Sequence, residues 1–212
     1  MVKEIDRSSL KRRTERKLIV LGCEGKNNQT EELYFTSLER KYKNYHFVFA
    51  CGKNDPVGIV KQTIEKAKRT NINLKQGDLA FSVFDVDVDR AKEKNIDSAR
   101  NLAKSSKYKI DIITSNPCFE VWYLMHFASS TKPFNSSNGA INELSKYINN
   151  YSKTIDYSEL LLPNTNNAIV NSEKLISYHK SFAKEKNQDY YNPCTYVHEI
   201  VKQVYDSKDY NY

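Results

Sequence analysis

The chain has 212 residues, with 33 Lys and Arg against 26 Asp and Glu and a formal net charge of +7 at pH 7. That length buries a sizeable core in one large domain or one domain with an appendage, and no apolar run approaches membrane-spanning length. The basic excess is spread along the chain, so it favours a polyanionic partner without separating a nucleic-acid enzyme from any other basic protein.

Residues 1–17 are polar and basic, with Lys11, Arg12, Arg13, Arg16 and Lys17 close together. They read either as a solvated terminus or as an arm that touches phosphates. The charged start (Lys3, Glu4, Asp6, Arg7) has no apolar h-region, so no signal peptide is expected. Leu18–Cys23 is a short apolar run of the kind that forms a buried strand, and it leads directly into Glu24 and Gly25. Thr30 can cap a helix whose first turn carries Glu31 and Glu32, which suits the helix dipole, and Tyr34, Leu38 and Tyr42 share one face of it.

Tyr45–Cys51 is a second, aromatic strand, and Asp55-Pro56 opens a helix with Val60, Ile64 and Ala67 inward. Asp78–Phe84 is the third strand and Ala91–Ser106 a polar helix. Lys109–Thr114 is the fourth strand, and Cys118–Phe127 an aromatic helix with Pro117 suited to its first turn. Strand–helix alternation over 18–129 predicts an α/β domain with a mostly parallel four-stranded sheet flanked by helices. After Ser129 the β-rich runs stop, and 130–212 reads as a helical extension packed on that domain. The four cysteines lack CxxC spacing and an accompanying His cluster, which argues against zinc. Reduced thiols and no export signal fit a cytoplasmic protein.

The chemistry concentrates at Phe81–Arg90, FSVFDVDVDR. An apolar strand runs into Asp85, Asp87 and Asp89, which alternation would place on one side of the strand end. Carboxylates so close repel one another unless a cation or water intervenes, and hard divalent cations take such ligands. The plain alternative is a polar loop after a buried strand. Glu24 at the first strand's tip and Glu120 after the fourth strand could join the group, because parallel strands stand about 4.8 Å apart. Glu120 could equally be a helix-start acid stabilised by the dipole. Asn116 is a candidate for substrate binding or for helix capping, and Lys53 for a phosphate contact or plain solvation. His46, His126, His179 and His198 are scattered, with His126 expected to be a packing residue. No P-loop is present, so the chain is not itself a P-loop ATPase.

A Glu after the first strand and Asp-x-Asp after the third resembles the Toprim domain of topoisomerases, primases and OLD-type nucleases. A longer set resembles the RloB family: Cys23-Glu24-Gly25, Thr30-Glu31 before Tyr34-Phe35, Asp55-Pro56, Phe84-Asp85-Val86-Asp87, the block Ser115–Trp122 with His126-Phe127, and Asn192-Pro193-Cys194-Thr195 with Val197-His198. The resemblance covers nearly the whole chain, in order. It implies a Toprim-like fold in a prokaryotic defence or restriction-linked protein, often encoded beside an ATPase, with Glu24, Asp85 and Asp87 as the acidic set. Two departures stand out: the Glu24–Tyr34 loop is longer than the family spacing, and Asp89 adds an acid.

The expected activity is nuclease cleavage of DNA or RNA with Mg²⁺ or Mn²⁺ held by Asp85 and Asp87, with Asp89 and Glu120 as further candidate ligands. Glu24 is expected to act as a general acid/base or as a further ligand. The alternative is a metal- or nucleotide-binding adaptor docking an ATPase partner, which exposed apolar residues on the last helix would favour. No membrane partner is expected; a homo-oligomer is left open.

Overall fold

A computed structural model of the chain describes residues 16–25, 28–88, 93–182 and 187–206. The arm at 1–15 and Asp89 lie outside the described residues. β1 (Lys17–Glu24), α1 (Thr30–Tyr42), β2 (Tyr45–Lys53), α2 (Pro56–Arg69), β3 (Leu79–Asp85), α3 (Glu93–Ser105), β4 (Asp111–Asn116) and α4 (Glu120–Met125) alternate as strand and helix. There follow α5 (Ser137–Leu144), α6 (Ser158–Leu161), α7 (Thr165–Ser181), β5 (Cys194–Thr195) and α8 (Val197–Asp206).

The sheet has five strands in the order β2-β1-β3-β4-β5, not the four expected. The first four are parallel, and β5 runs antiparallel to β4 through Ser115↔Thr195 and Asn116↔Cys194. A two-residue strand has no hydrophobic period, so its run is invisible in sequence. With β1 between β2 and β3, the strand order reverses there. The carboxyl ends of β1 and β3 therefore flank the crevice where open α/β sheets bind ligands.

Alternation divides the core. Ile19, Leu21 and Cys23 of β1 and Phe81 and Val83 of β3 face α1, α4, α7 and α8, while Val20, Ala80 and Phe84 face α2 and α3. Val197, Ile200, Val201 and Val204 of α8 are all buried in the first of these cores. Asp55 caps α2 by accepting the Gly58 N–H at 2.7 Å. On the outer strand β2, Glu39 of α1 accepts the Phe47 backbone N–H at 2.9 Å through Oε2, and its Oε1 lies 2.8 Å from His46 Nδ1. Among the described residues no helix is long and apolar enough to cross a membrane.

Gly22 lets β1 and α2 touch. A Cβ there would stand 2.0 Å from Thr63 Oγ1 and 3.3 Å from the Ile59 carbonyl oxygen. Thr63 Oγ1 is itself fixed 2.8 Å from Ser82 Oγ in the buried interior. Gly22→Ala is therefore expected to cost about 1–3 kcal/mol by overpacking, read as a lower urea midpoint. An unchanged midpoint would show that α2 shifts freely off the sheet.

Candidate active site

β1 ends at Glu24, and Gly25 turns the chain with φ +82°, a conformation glycine adopts without penalty. The turn is tied to β2 by Gly25 N–H donating to the Lys53 carbonyl at 3.1 Å and Gly52 N–H donating to the Gly25 carbonyl at 2.7 Å. Glu24 reaches across to the end of β3, where its Oε2 accepts the Asp85 backbone N–H at 3.2 Å. The two strand-end acids are thus linked through the backbone.

β3 also ends at Asp85, whose position matches Phe81 and Val83 on the sheet face toward α1 and α4. Val86 N–H donates to the Ser115 carbonyl at 2.9 Å, and the chain then turns at Asp87, whose φ is +60°. The strand alternation expected to run on through Asp87 and Asp89 therefore stops at Asp85. Asp87 comes next in a left-handed turn that Asp tolerates.

The helices supply two more carboxylates. Glu31 stands in the first turn of α1, and Glu120 is the first residue of α4. The Glu120 side chain is 0 % exposed; its Oε1 accepts the Tyr151 hydroxyl at 2.9 Å and the Lys153 ammonium at 3.2 Å. Among the described residues its Oε2 has no hydrogen-bond partner. Tyr151 also lies 3.0 Å from Thr30 Oγ1, so residues 149–157 are pinned over the starts of both helices.

The four carboxylates act on one another. Burial pushes the Asp85 carboxyl well above its ordinary range, and the charges of Glu31, Glu24 and Glu120 push the same way, while Lys153 opposes them. Burial likewise raises Glu31 to about 7; its own backbone N–H and Lys153 pull it down, and Glu120 and Glu24 push it up. A carboxyl raised this way keeps its proton longer folded than unfolded. Stability of the metal-free protein should therefore fall as pH rises from about 4.5 to 7. Glu31→Gln is expected to flatten the plot of melting temperature against pH across that window; an unchanged slope would place the Glu31 carboxyl in water.

The site holds carboxylate oxygens of the kind hard divalent cations prefer, and the buried, unpaired Oε2 of Glu120 is an acceptor still open to one. The donor set thus fits Mg²⁺ or Mn²⁺ in kind. Among the described residues no group of three or more His, Cys, Asp or Glu is arranged to hold an ion as the side chains now stand.

A family model described as RloB-like protein matches residues 19–204. The chain belongs to the RloB-like family. No curated protein and no solved structure matches it significantly. Every motif block noted in the sequence falls inside the RloB-like range, and Glu24, Glu31, Asp85 and Glu120 all lie within those blocks.

The other expected residues of this RloB-like protein take varied places. Lys53 is exposed at the end of β2, beside Glu24 in the strand register. Asn116 is 3 % exposed, its amide 3.5 Å from the Asp189 carbonyl oxygen, and it does not cap α4, whose N-cap position is Phe119. Pro117 correspondingly precedes that helix instead of sitting in its first turn. His126 is a packing residue: Nδ1 lies 3.0 Å from the Trp122 carbonyl oxygen and burial lowers its pKa to about 4, so it is neutral. Glu31, Tyr151 and Lys153 were not among the expected site residues. Glu31 was visible in the Thr30-Glu31 motif but reads as a dipole-stabilised helix start; Tyr151 and Lys153 sit on a loop without a periodic signal.

Proposed function

We propose that this RloB-like protein is a divalent-metal-dependent phosphodiesterase that cleaves nucleic acid, DNA or RNA, through a Toprim-like arrangement of acids. The observation that carries this reading is the meeting of Glu24, Glu31, Asp85 and Glu120 at the reversal of strand order. The resemblance to defence proteins supplies the setting: an anti-phage or restriction-linked system, in the cytoplasm, with an ATPase partner.

Asp85, Asp87 and the open oxygen of Glu120 would hold Mg²⁺ or Mn²⁺, with Glu24 as a further ligand or general acid/base. When bound, the ion supplies Lewis acidity toward a phosphoryl oxygen and lowers the pKa of water. The Asp85 N–H fixes the direction of the Glu24 carboxylate. Glu31, at about 7, can hold or release a proton on its carboxyl near neutral pH, the range in which acid/base groups work best. The exposed Lys53, in register with Glu24, would meet a phosphate on the way in.

An adaptor without catalysis is the competing reading. It would draw support from an apolar face on α8, but those side chains fill the core. The test is incubation of single- and double-stranded DNA and tRNA with Mg²⁺, Mn²⁺ or EDTA, with and without the neighbouring ATPase. Cleavage that EDTA stops and Mn²⁺ restores is the expected result. No cleavage under any of these conditions would leave the adaptor reading.

A further inference from the structure

Glu120 is fully buried, yet its carboxylate is only half satisfied: Oε1 has Tyr151 and Lys153, while Oε2 has no partner among the described residues. Among the described residues, the positive charge paired with it is an ammonium 3.2 Å away whose side chain is 48 % exposed, so water reaches Lys153 easily while Glu120 stays inside. The same ammonium acts electrostatically on Asp85 and Glu31. A single ammonium, a compact point charge on a flexible stem, thus stands among acids that a divalent cation would otherwise neutralise.

Lys153 is carried by a segment that is held firmly on either side of it, with the rings of Tyr151 and Tyr157 packed on the core. Tyr151 bonds to Glu120 and Thr30, the Ser152 N–H donates to the Tyr157 hydroxyl at 3.0 Å, and Asp156 accepts from Ser37 at 2.9 Å. Lys153, Thr154 and Ile155 between these anchors are exposed. The ammonium can therefore swing into water without unfolding anything beneath it.

We propose that Lys153 is a built-in counter-ion of the acidic site, competing with the divalent cation for Glu120, so that its ammonium gates metal entry. This rests on the metal-dependent reading above. A divalent cation on the open Oε2 would be repelled by the ammonium held on Oε1 of the same carboxylate, so metal binding favours the state in which the ammonium has swung out. If the paired state is populated about nine-tenths of the time, the apparent affinity falls about tenfold. The gate would keep a hydrolase quiet at low free metal until a substrate phosphate or a partner draws Lys153 away.

The test is Mn²⁺ titration of the full chain at pH 7.5, with free Mn²⁺ read by electron paramagnetic resonance, in wild type, Lys153→Met, Lys153→Arg and Asp85→Asn. The expected result is binding about tenfold tighter in Lys153→Met, unchanged in Lys153→Arg, which keeps the charge, and lost in Asp85→Asn. Equal or weaker binding in Lys153→Met, with wild-type binding intact, would overturn the gate and leave the metal site standing. No saturable binding in wild type or Lys153→Met would overturn the metal reading, and the gate with it. Position 153 is exposed, and a single cooperative melting transition in each variant would confirm that it folds.

Discussion

Asp85→Asn is expected to lower metal-dependent cleavage by about 10³-fold or more while raising the melting temperature at pH 7.5. Asn keeps the shape and one oxygen of Asp but removes the charge that would hold a cation. The stability gain comes from the sign of the shift. Burial and the charges of Glu31, Glu24 and Glu120 push the folded Asp85 carboxyl well above its ordinary 3.8. The folded state then binds more protons than the unfolded one above that value, so stability falls as pH rises through the folded pKa. At pH 7.5, well above the ordinary 3.8, the wild type bears the loss of stability that this shift entails, and Asn removes it. Such an exchange of stability for activity is common at working sites. Activity close to wild type would take Asp85 out of the chemistry, and a lower melting temperature would mean that favourable contacts hold its charge.

Trp122→Ala is expected to cost about 3–5 kcal/mol, as removal of a buried aromatic does. Trp122 is 0 % exposed, with its ring 5.9 Å from that of Tyr34 and 4.9 Å from that of His126. Tyr34 belongs to α1 and Trp122 to α4, so the indole spaces the two helices that carry Glu31 and Glu120. The cavity would loosen the site as well as the core, and cleavage should fall with stability. Trp122 is the chain's one tryptophan, so the urea transition should be followed by circular dichroism. A midpoint shift worth less than about 1 kcal/mol would mean that the cluster collapses around the gap.

The apolar runs of β1, β2, β3 and β4 were legible because each is short, continuous and bounded by turn residues, and Glu24 and Asp85 were legible as the acids at the ends of two such runs. Strand order was not, since no local pattern states which strand lies beside which. The meeting of Glu24 with Asp85 therefore had to come from the three-dimensional arrangement. β5 escaped notice because Cys194-Thr195 is too short for any period. Glu31 was hidden by ambiguity, since an acid in a helix's first turn is stabilised by the dipole wherever it points. Tyr151 and Lys153 join Glu120 from far along the chain, through a loop whose composition reads only as solvent-exposed. Asn116 reads in sequence as a substrate contact or a helix cap; it does not cap α4, and the pairing of β4 with β5 that buries it has no local signal.

The Glu39 carboxylate on the Phe47 N–H has a consequence for how copies of this chain meet. An outer strand with unpaired donors invites another chain to extend the sheet, which is how many folded proteins aggregate. β2 is nine residues long and rich in aromatics, so it would be a strong template. Glu39 occupies one of its backbone donors and, with Arg16 paired to it, sets charged groups along that side. The opposite side ends in β5, whose two residues give an incoming strand little to pair with. The sheet is thus guarded against growth in both directions, and self-association, where it occurs, should run through helices and loops.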